Sequence, residues 1–518
     1  MPPDARPVDP IELSLFASRM NAVCDEMGAV LRRAAFSPNI RDRLDFSCAV
    51  FDRNGELCAQ AAHIPVHLGS MAFAMRAVVA AMAWAPGDMV ILNDPFLGGT
   101  HLPDITLIAP VFVAGELAAF VANRAHHADV GADSPGSMPI SRSLEEEGVV
   151  IEPVHLIRED RMNHRVLGAV VGRSRNPDES RGDFAAQVSA NRCGVARLEG
   201  LIEARGWDGF RRGLDALNAY GERLARSVLE TLPDGEYGFE DLMDDDGQGN
   251  TDIPIRVALR VGGGEVEVDF TGSAPQVAGN INCPLSVAAA AVFYVFRCLM
   301  PDYAPACAGT FRPIRLRAPK GSLLNACRPA AVAAGNVETS TRIVDVVMGA
   351  LARALPGRIP AASQGSMNNL AMGSADPHGP WDYYETIGGG MGGGPLAAGL
   401  SGVQTHMTNT LNTPIEVLES RFPLRVWRYA LRDGSGGAGR HPGGDGLIRE
   451  FEFLAPTRVT LLSERRRRGA WGLSGGGSGA PGVNRCGAKV VPGKVALDCP
   501  AGERLCVESP GGGGWGKT

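Results

Sequence analysis

Two histidine-bearing motifs stand at opposite ends of one predicted β-hairpin, and this pairing constrains the fold more than any other feature of the sequence. The first runs Asn93-Asp94-Pro95-Phe96-Leu97-Gly98-Gly99-Thr100-His101-Leu102-Pro103-Asp104, and the second Asn123-Arg124-Ala125-His126-His127-Ala128-Asp129. Met89 to Leu92 is an apolar run that reads as a buried strand. It ends at Asn93-Asp94-Pro95, because proline has no N–H for a ladder and drives the residue before it into extended backbone. Gly98-Gly99 permits a sharp turn and delivers Thr100, His101 and Asp104 onto an exposed loop. Ile105 to Val113 is expected as the next strand and Leu117 to Val121 as its partner across Ala114-Gly115-Glu116, ending at Asn123-Arg124. An antiparallel return over this distance brings His126 beside His101 and Asp104. Imidazole and carboxylate donors suit a divalent ion such as Zn²⁺ or Mn²⁺, with an open position for water or substrate.

The flanking chain supplies scaffold. Asp9-Pro10 opens a helix to about Ala35, whose Leu13, Phe16, Met20, Val23, Met27, Val30 and Leu31 recur at helical spacing as one buried stripe. Phe46 to Phe51 and Leu57 to Ala61 flank Asp52-Arg53-Asn54-Gly55, a hairpin signal because Asn-Gly accepts positive dihedrals. Asp45 stands at the mouth of the first of these strands. His63 and His67 flank an extended Ile-Pro-Val and either line the site or serve structure, and Ser70 to Trp84 reads as a core helix. Glu145-Glu146-Glu147 and Arg465 to Arg468 are charge runs of the kind that is ordinarily solvated. Asp241 to Asp246 lacks the spacing and distal glutamate of a calcium loop. Gly388 to Gly394 is a loop whose backbone can approach a ligand or partner closely. Cys283 and Cys307 have no adjacent base that would make a thiol nucleophile. Gly511 to Thr518 satisfies the P-loop pattern letter for letter, but a P-loop needs a following helix to hold the phosphate, so no nucleotide is expected there.

At 518 residues, 45% hydrophobic and 21% charged, the chain has the composition of a large globular protein. The expected fold is α+β: a large mixed chain with several antiparallel sheets and an N-terminal helix. It divides into an N-terminal metal-site region with a helical segment over 1–230 and a glycine-rich β/α region over 231–518. A net charge of −7 offers nothing to nucleic acid or an anionic membrane. No apolar run approaches the roughly 20 residues a membrane span needs, and the first residues carry no secretory signal. The eleven cysteines are scattered, without a C-x-x-C pair. A cytoplasmic location is expected.

The two motifs, together with Pro135-Gly136-Ser137-Met138, Ser37-Pro38-Asn39-Ile40, Asp45-Phe46-Ser47-Cys48, His63 to Met71 and Thr405-His406-Met407-Thr408-Asn409-Thr410, resemble the hydantoinase B/oxoprolinase family over nearly the whole chain. That family also holds alpha subunits of acetone carboxylase-type enzymes. The resemblance implies a divalent metal, Zn or Mn, on His101, Asp104 and His126, with a further carboxylate from the early region; Asp45 matches better than Asp42. His127 or Asp129 would then orient a ligand or shuttle a proton. It also implies a hetero-oligomer in which an A-type partner binds ATP and activates a cyclic amide, and the B-type chain completes ring opening. The alternative it leaves is a carboxylase alpha subunit whose metal stabilises an enolate.

Overall fold

A computed structural model describes residues 9–61, 64–374 and 379–518. Helix α1 (Pro10–Ala34) is capped by Asp9, whose carboxylate accepts from Ile11 N at 2.8 Å, and it buries Phe16, Met20, Val23, Met27 and Leu31 along one stripe. A short turn α2 (Pro38–Arg41) leads to strands β1 (Phe46–Asp52) and β2 (Leu57–Gln60), then helix α3 (Pro65–Ala81). Next come β3 (Met89–Leu92), β4 (Asp104–Val113), β5 (Glu116–His126), β6 (Val154–Arg158) and β7 (Arg161–Met162). These seven strands form one antiparallel sheet in the order β2-β1-β5-β4-β3-β6-β7. Helices α4 (His164–Val171), α5 (Pro177–Arg205) and α6 (Trp207–Leu229) complete the first half.

Side chains alternate between the two faces of a strand, so each face of this sheet has its own cover. Cys48, Val50, Ile105, Leu107, Val111 and Val121 pack with α1 and α5, whereas Ala49, Phe51, Ile108, Phe120 and Ala122 pack against Met71, Met75 and Val78 of α3. Each apolar side chain fully buried in this way contributes roughly 1.5–3 kcal/mol. The hairpin β4-β5 is longer than expected at its open end, starting at Asp104 and running to His126. Its inner strand is held on both sides, since β5 also pairs with β1 through Phe46↔Ala125.

The second half begins with β8 (Gly235–Asp245), β9 (Thr251–Gly262) and β10 (Glu265–Asp269), joined in a four-stranded sheet by β11 (Ile314–Arg317), which pairs with β10 in parallel. Helix α7 (Leu285–Leu299), the turn α8 (Ala308–Phe311), and α9 (Ser340–Ala354), which a π-helical turn (Gly335–Thr339) introduces, are set among these strands. Two further sheets follow. One is β13-β12-β16-β19, from β12 (Asn369–Ser374), β13 (Asp382–Glu385), β16 (Thr457–Leu462) and β19 (Lys494–Cys499). The other is β14-β15-β20-β17-β18, from β14 (Leu424–Arg432), β15 (Gly446–Phe453), β17 (Val483–Cys486), β18 (Lys489–Val491) and β20 (Arg504–Glu508), with helix α10 (Ile415–Arg421) at its side. The halves meet where α3 lies on α7. Gly69 makes that approach possible, because a Cβ there would fall within 2.5 Å of the Ala290 Cα.

Several charged stretches are placed differently from their expected solvation. Glu147 is buried, though Glu145 and Glu146 are exposed. Of the arginine run, Arg465 is buried between Asp241 and Asp345, and Arg466 N donates to Asp244. Arg467 and Arg468 stay half exposed against Asp252. The first half of the run is therefore an internal ion network, and two of its acid partners, Asp241 and Asp244, come from the Asp241 to Asp246 stretch. The glycine loop 388–394 packs on the chain's own glycines: Gly390 N donates to Pro510 O and Gly393 N to Gly513 O. The P-loop-like tail contains no helix, and its N–H groups are already donated, from Gly511, Gly512, Gly513 and Gly514 to the carbonyls of Ala480, Gly444, Ala362 and Gly477. Cys283 and Cys307 are buried, and burial pushes both thiols up.

Glu338, in the π-turn, is also buried; its Oε1 accepts from Met367 N and Asn369 Nδ2, and Oε2 has no partner. Burial, then the charge of Glu464, pushes its carboxyl up to about 8. The folded state therefore holds a proton that the unfolded chain releases near 4.5, so stability is full below that value and is lost as pH rises toward 8. Glu338→Gln is expected to flatten this slope, matching wild type near pH 5 and exceeding it at pH 8.5 in urea-unfolding midpoints. Parallel pH profiles for the two proteins would refute the assignment.

Candidate metal centre

The open end of the β4-β5 hairpin is where the sheet, helix α3 and the π-turn converge. Asp104 and His126 are direct cross-strand partners. Counting by twos along the strands puts Asp45, Ser47, Asp104, Thr106, Arg124 and His126 on the face that looks toward α3. His67, in the first turn of that helix, reaches the same point, while His63 lies outside the described residues. The 93–104 loop is braced from inside: Asn93 Nδ2 donates to Leu102 O and Val149 O, and Asn93 Oδ1 accepts from Ile151 N. Gly99 sits so close to the Asn93 carbonyl that no side chain fits there, and its own carbonyl accepts from Ser286 of α7 at 2.9 Å.

Asp104 is the hub. Its Oδ1 lies 3.2 Å from His101 Nε2 and 3.1 Å from His126 Nδ1. Its Oδ2 accepts from Thr100 Oγ1 at 2.6 Å and Asn336 Nδ2 at 3.2 Å, and faces His67 Nε2 at 3.2 Å. Asp45 stands beside them, with Oδ1 3.9 Å from His67 Nε2 and Oδ2 3.9 Å from Arg43. Asp42, by contrast, is taken by Arg41. Burial opposes charge on Asp104, but His101 and His67 together hold its carboxyl well below the usual carboxylate range. Burial also works against protonation of His101, yet Asp104 holds it above its ordinary value; His126, where burial prevails, is lowered.

Hydrogen-bond roles give this group the donor set of a cation site. His101 Nδ1 meets the Ala333 carbonyl at 3.2 Å, and a carbonyl only accepts, so Nδ1 carries the hydrogen. His101 Nε2 is then left facing a carboxylate oxygen at 3.2 Å without hydrogen-bond alignment, an arrangement that needs a proton or a cation. His126 donates from Nδ1 to Asp104, leaving Nε2 buried with no partner. Among the described residues, His101, Asp104 and His126 bring ligand atoms within 4.8 Å of one another. Two free imidazole nitrogens and one carboxylate fit a borderline divalent ion.

The second layer comes largely from elsewhere in the chain. Glu147 Oε1 accepts from Ser141 Oγ, Val332 N and Ala333 N, fixing the segment just ahead of the Ala333 carbonyl that orients His101. Tyr384 of β13 stacks on the His126 ring at 4.7 Å, and the Arg43 guanidinium lies 4.9 Å from the Tyr384 ring centre. The hydroxyl of Tyr384 donates to Asn369, which in turn donates to Glu338. The sequence motifs mark none of Thr100, Glu147, Asn336 or Tyr384 as a site residue. Thr100 alone carries a nearby signal, inside the first motif.

His127 and Asp129 are not brought to this cluster. His127 follows His126 and so points to the opposite face, where Nε2 meets Gln187 Oε1 at 2.9 Å and the ring packs on Phe184. Asp129 fixes a turn, accepting from Gly131 N, Ser137 Oγ and Arg175 N. His406 lies 3.7 Å from Asp345, away from the hub.

The Hydantoinase B/oxoprolinase family model matches residues 9–518. The chain is 39% identical to 5-oxoprolinase 1 of Arabidopsis thaliana over 98% of its own length and 42% of that protein's. It is 32% identical to a putative B-type subunit of a D-/L-hydantoinase from Pseudomonas sp. (strain NS671), covering 99% of this chain and 91% of the relative. Its fold matches the crystal structure of an ATP-dependent caprolactamase from Pseudomonas jessenii with a TM-score of 0.91 at 26% identity, over 99% of this chain and 92% of that one. The chain thus spans about two-fifths of the length of the 5-oxoprolinase it matches and nearly all of the hydantoinase relative. Among the described residues, no helix is long and apolar enough to cross a membrane.

Proposed function

The chain belongs to the hydantoinase B/oxoprolinase family, and on that premise we propose that it is the B-type component of an ATP-dependent cyclic amide hydrolase, completing ring opening of a substrate that an A-type chain activates. The observation that carries this reading is the buried convergence of His101, Asp104 and His126, with the Nε2 of each imidazole left without a hydrogen-bond partner. An unactivated cyclic amide is a poor electrophile, and phosphorylation at the expense of ATP makes it a better one. The N–H groups of Gly511 to Gly516 are all donated to the chain's own carbonyls, which supports placing ATP on the partner. In the 5-oxoprolinase relative, the length outside the matched 42% is where that partner's role would lie.

His101, Asp104 and His126 would hold a Zn or Mn ion, with Asp45 beside them. When bound, such an ion lowers the pKa of water toward neutrality and polarises a carbonyl. The chain's own residues do the rest. Thr100 and His67 fix the far oxygen of Asp104, the Ala333 carbonyl fixes the tautomer of His101, and Tyr384 fixes the plane of His126. The enclosure excludes bulk water, so the activated intermediate is spent on ring opening.

The test is ADP release by this chain with its A-type partner, across hydantoins and lactams without bicarbonate and ketones with it, in wild type and His101→Ala. A hydantoin or lactam is expected to stimulate turnover, and His101→Ala to release ADP without opening the ring. Turnover that requires bicarbonate and a ketone would instead mark a carboxylase.

A further inference from the structure

Asn336 lies 232 residues from Asp104 in sequence, and nothing in its neighbourhood of the chain suggests chemistry. It sits in the π-helical turn Gly335–Thr339, the kind of helix irregularity that recurs at functional sites. The turn is held in place. Gly335 N donates to Asn280 O at 3.1 Å, and Gly335 lies so near the Asn282 carbonyl that a side chain there is excluded. Asn336 is consequently aimed at the hub, with Nδ2 3.2 Å from Asp104 Oδ2.

The other end of the same amide is the informative one. Asn336 is buried, and its Oδ1 has no hydrogen-bond partner. Leaving an acceptor unpaired in a dry interior costs about 1–3 kcal/mol, and two further buried atoms of the cluster, His101 Nε2 and His126 Nε2, are unpaired as well. The imidazole nitrogens, as lone-pair donors, suit a cation. An amide oxygen whose Nδ2 is already committed to Asp104 suits a hydrogen-bond donor. The cluster is almost wholly buried, and the smallest donor that could satisfy such an oxygen is a water molecule.

We infer that Asn336 is a catalytic residue of this centre: its Oδ1 accepts a hydrogen bond from the attacking water and orients it, while its Nδ2 keeps the far oxygen of Asp104 turned away from that water. The inference rests on the hydrolase reading above. Asn336 takes no proton, because an amide oxygen is not basic enough; it fixes where the water's lone pair points. The residue belongs to the second half of the chain and the metal-binding motifs to the first, so the centre is complete only when the halves are docked.

Two variants separate the two ends of the amide. Asn336→Leu keeps the branched shape and removes both functions, whereas Asn336→Asp keeps an acceptor and replaces the donor with a second carboxyl beside Asp104. The first readout uses the chain alone with Mn²⁺ as probe. In Asn336→Leu, Mn²⁺ affinity by calorimetry is expected to fall by about 10- to 100-fold, the usual cost of losing an outer-shell partner of a ligand, and water exchange by ¹⁷O relaxation at saturating Mn²⁺ to accelerate by about 3- to 10-fold, as loss of one hydrogen bond implies. The second readout uses the complex with its A-type partner. Asn336→Leu is expected to lower kcat by about 10- to 100-fold with KM little changed, and Asn336→Asp to retain more turnover than Asn336→Leu. Unchanged water exchange, or equal losses in both variants, would overturn the inference while leaving the metal centre standing. Failure of wild type to bind Mn²⁺ would overturn the metal reading and this inference together.

Discussion

Asp104→Asn is expected to deprive the chain of its divalent metal and to separate ATP consumption from ring opening. Among the described residues, Asp104 offers the one carboxylate within contact of three imidazoles, at 3.1 to 3.2 Å from His101, His126 and His67. Asparagine preserves the shape but removes the charge that a cation needs, and it presents a donor where Thr100, Asn336 and the histidines now find acceptors. Losing an outer-shell partner already costs roughly 10- to 100-fold in metal affinity. Loss of the central ligand is expected to exceed about 100-fold. Calorimetric titration with Zn²⁺ and Mn²⁺, and the ratio of opened ring to ADP in the complex, measure the two halves of the statement. An affinity within threefold of wild type would sink the site. A fall in affinity with an unaltered ratio of product to ADP would retain the ion and remove it from the reaction.

The second large effect concerns stability. Arg465→Met is expected to destabilise the fold by about 3–5 kcal/mol, the usual result of removing one partner from a buried charge set. Arg465 Nη2 donates to Asp241 Oδ2 and to Asp345 Oδ2, both at 2.7 Å, and the guanidinium is almost wholly buried. Methionine would fill much of the space and leave Asp345 without its arginine and Asp241 with Arg342 alone. The network continues through Arg342 to Glu464 and Lys494, so the damage would spread beyond one pair. Arg467→Met, at a half-exposed pair with Asp252, is the control, expected to cost less than about 1 kcal/mol. Urea-unfolding midpoints of the two variants decide the matter; equal effects would show that burial does not distinguish the four arginines.

Much of this is legible in the chain itself. The apolar stripe from Phe16 to Leu31 and the Asn54-Gly55 turn follow from local periodicity and dihedral preference, which need no long-range information. The two motifs also announce their own juxtaposition, since a hairpin whose ends carry His101, Asp104 and His126 has little choice but to bring them together. Even the separation of His126 from His127 is implicit, because neighbours on a strand face opposite ways. It can be read only once the strand is known to continue to His126, and that extension depends on β1 pairing along its outer edge.

Other features carry no local trace. Glu147 and the Arg465-Arg466 pair look like solvated charge in sequence, because a charge run states nothing about what will be packed over it. His67 reads as a residue of an extended Ile-Pro-Val stretch, yet Pro65 serves as the first residue of a helix and turns it inward.

The sequence by itself determined the elements, the family and the three residues at the hairpin's open end, since these depend on spacing along one short segment. Only the tertiary structure decided which distant groups complete the centre: Asn336 from the π-turn, Tyr384 from β13, and Glu147 acting through the segment just ahead of the Ala333 carbonyl. The physical reason is that hydrogen-bond satisfaction in a buried site is settled by whichever chain segments the packing delivers to it. That delivery depends on how α3 meets α7, a contact in which the closest approach is made by a glycine.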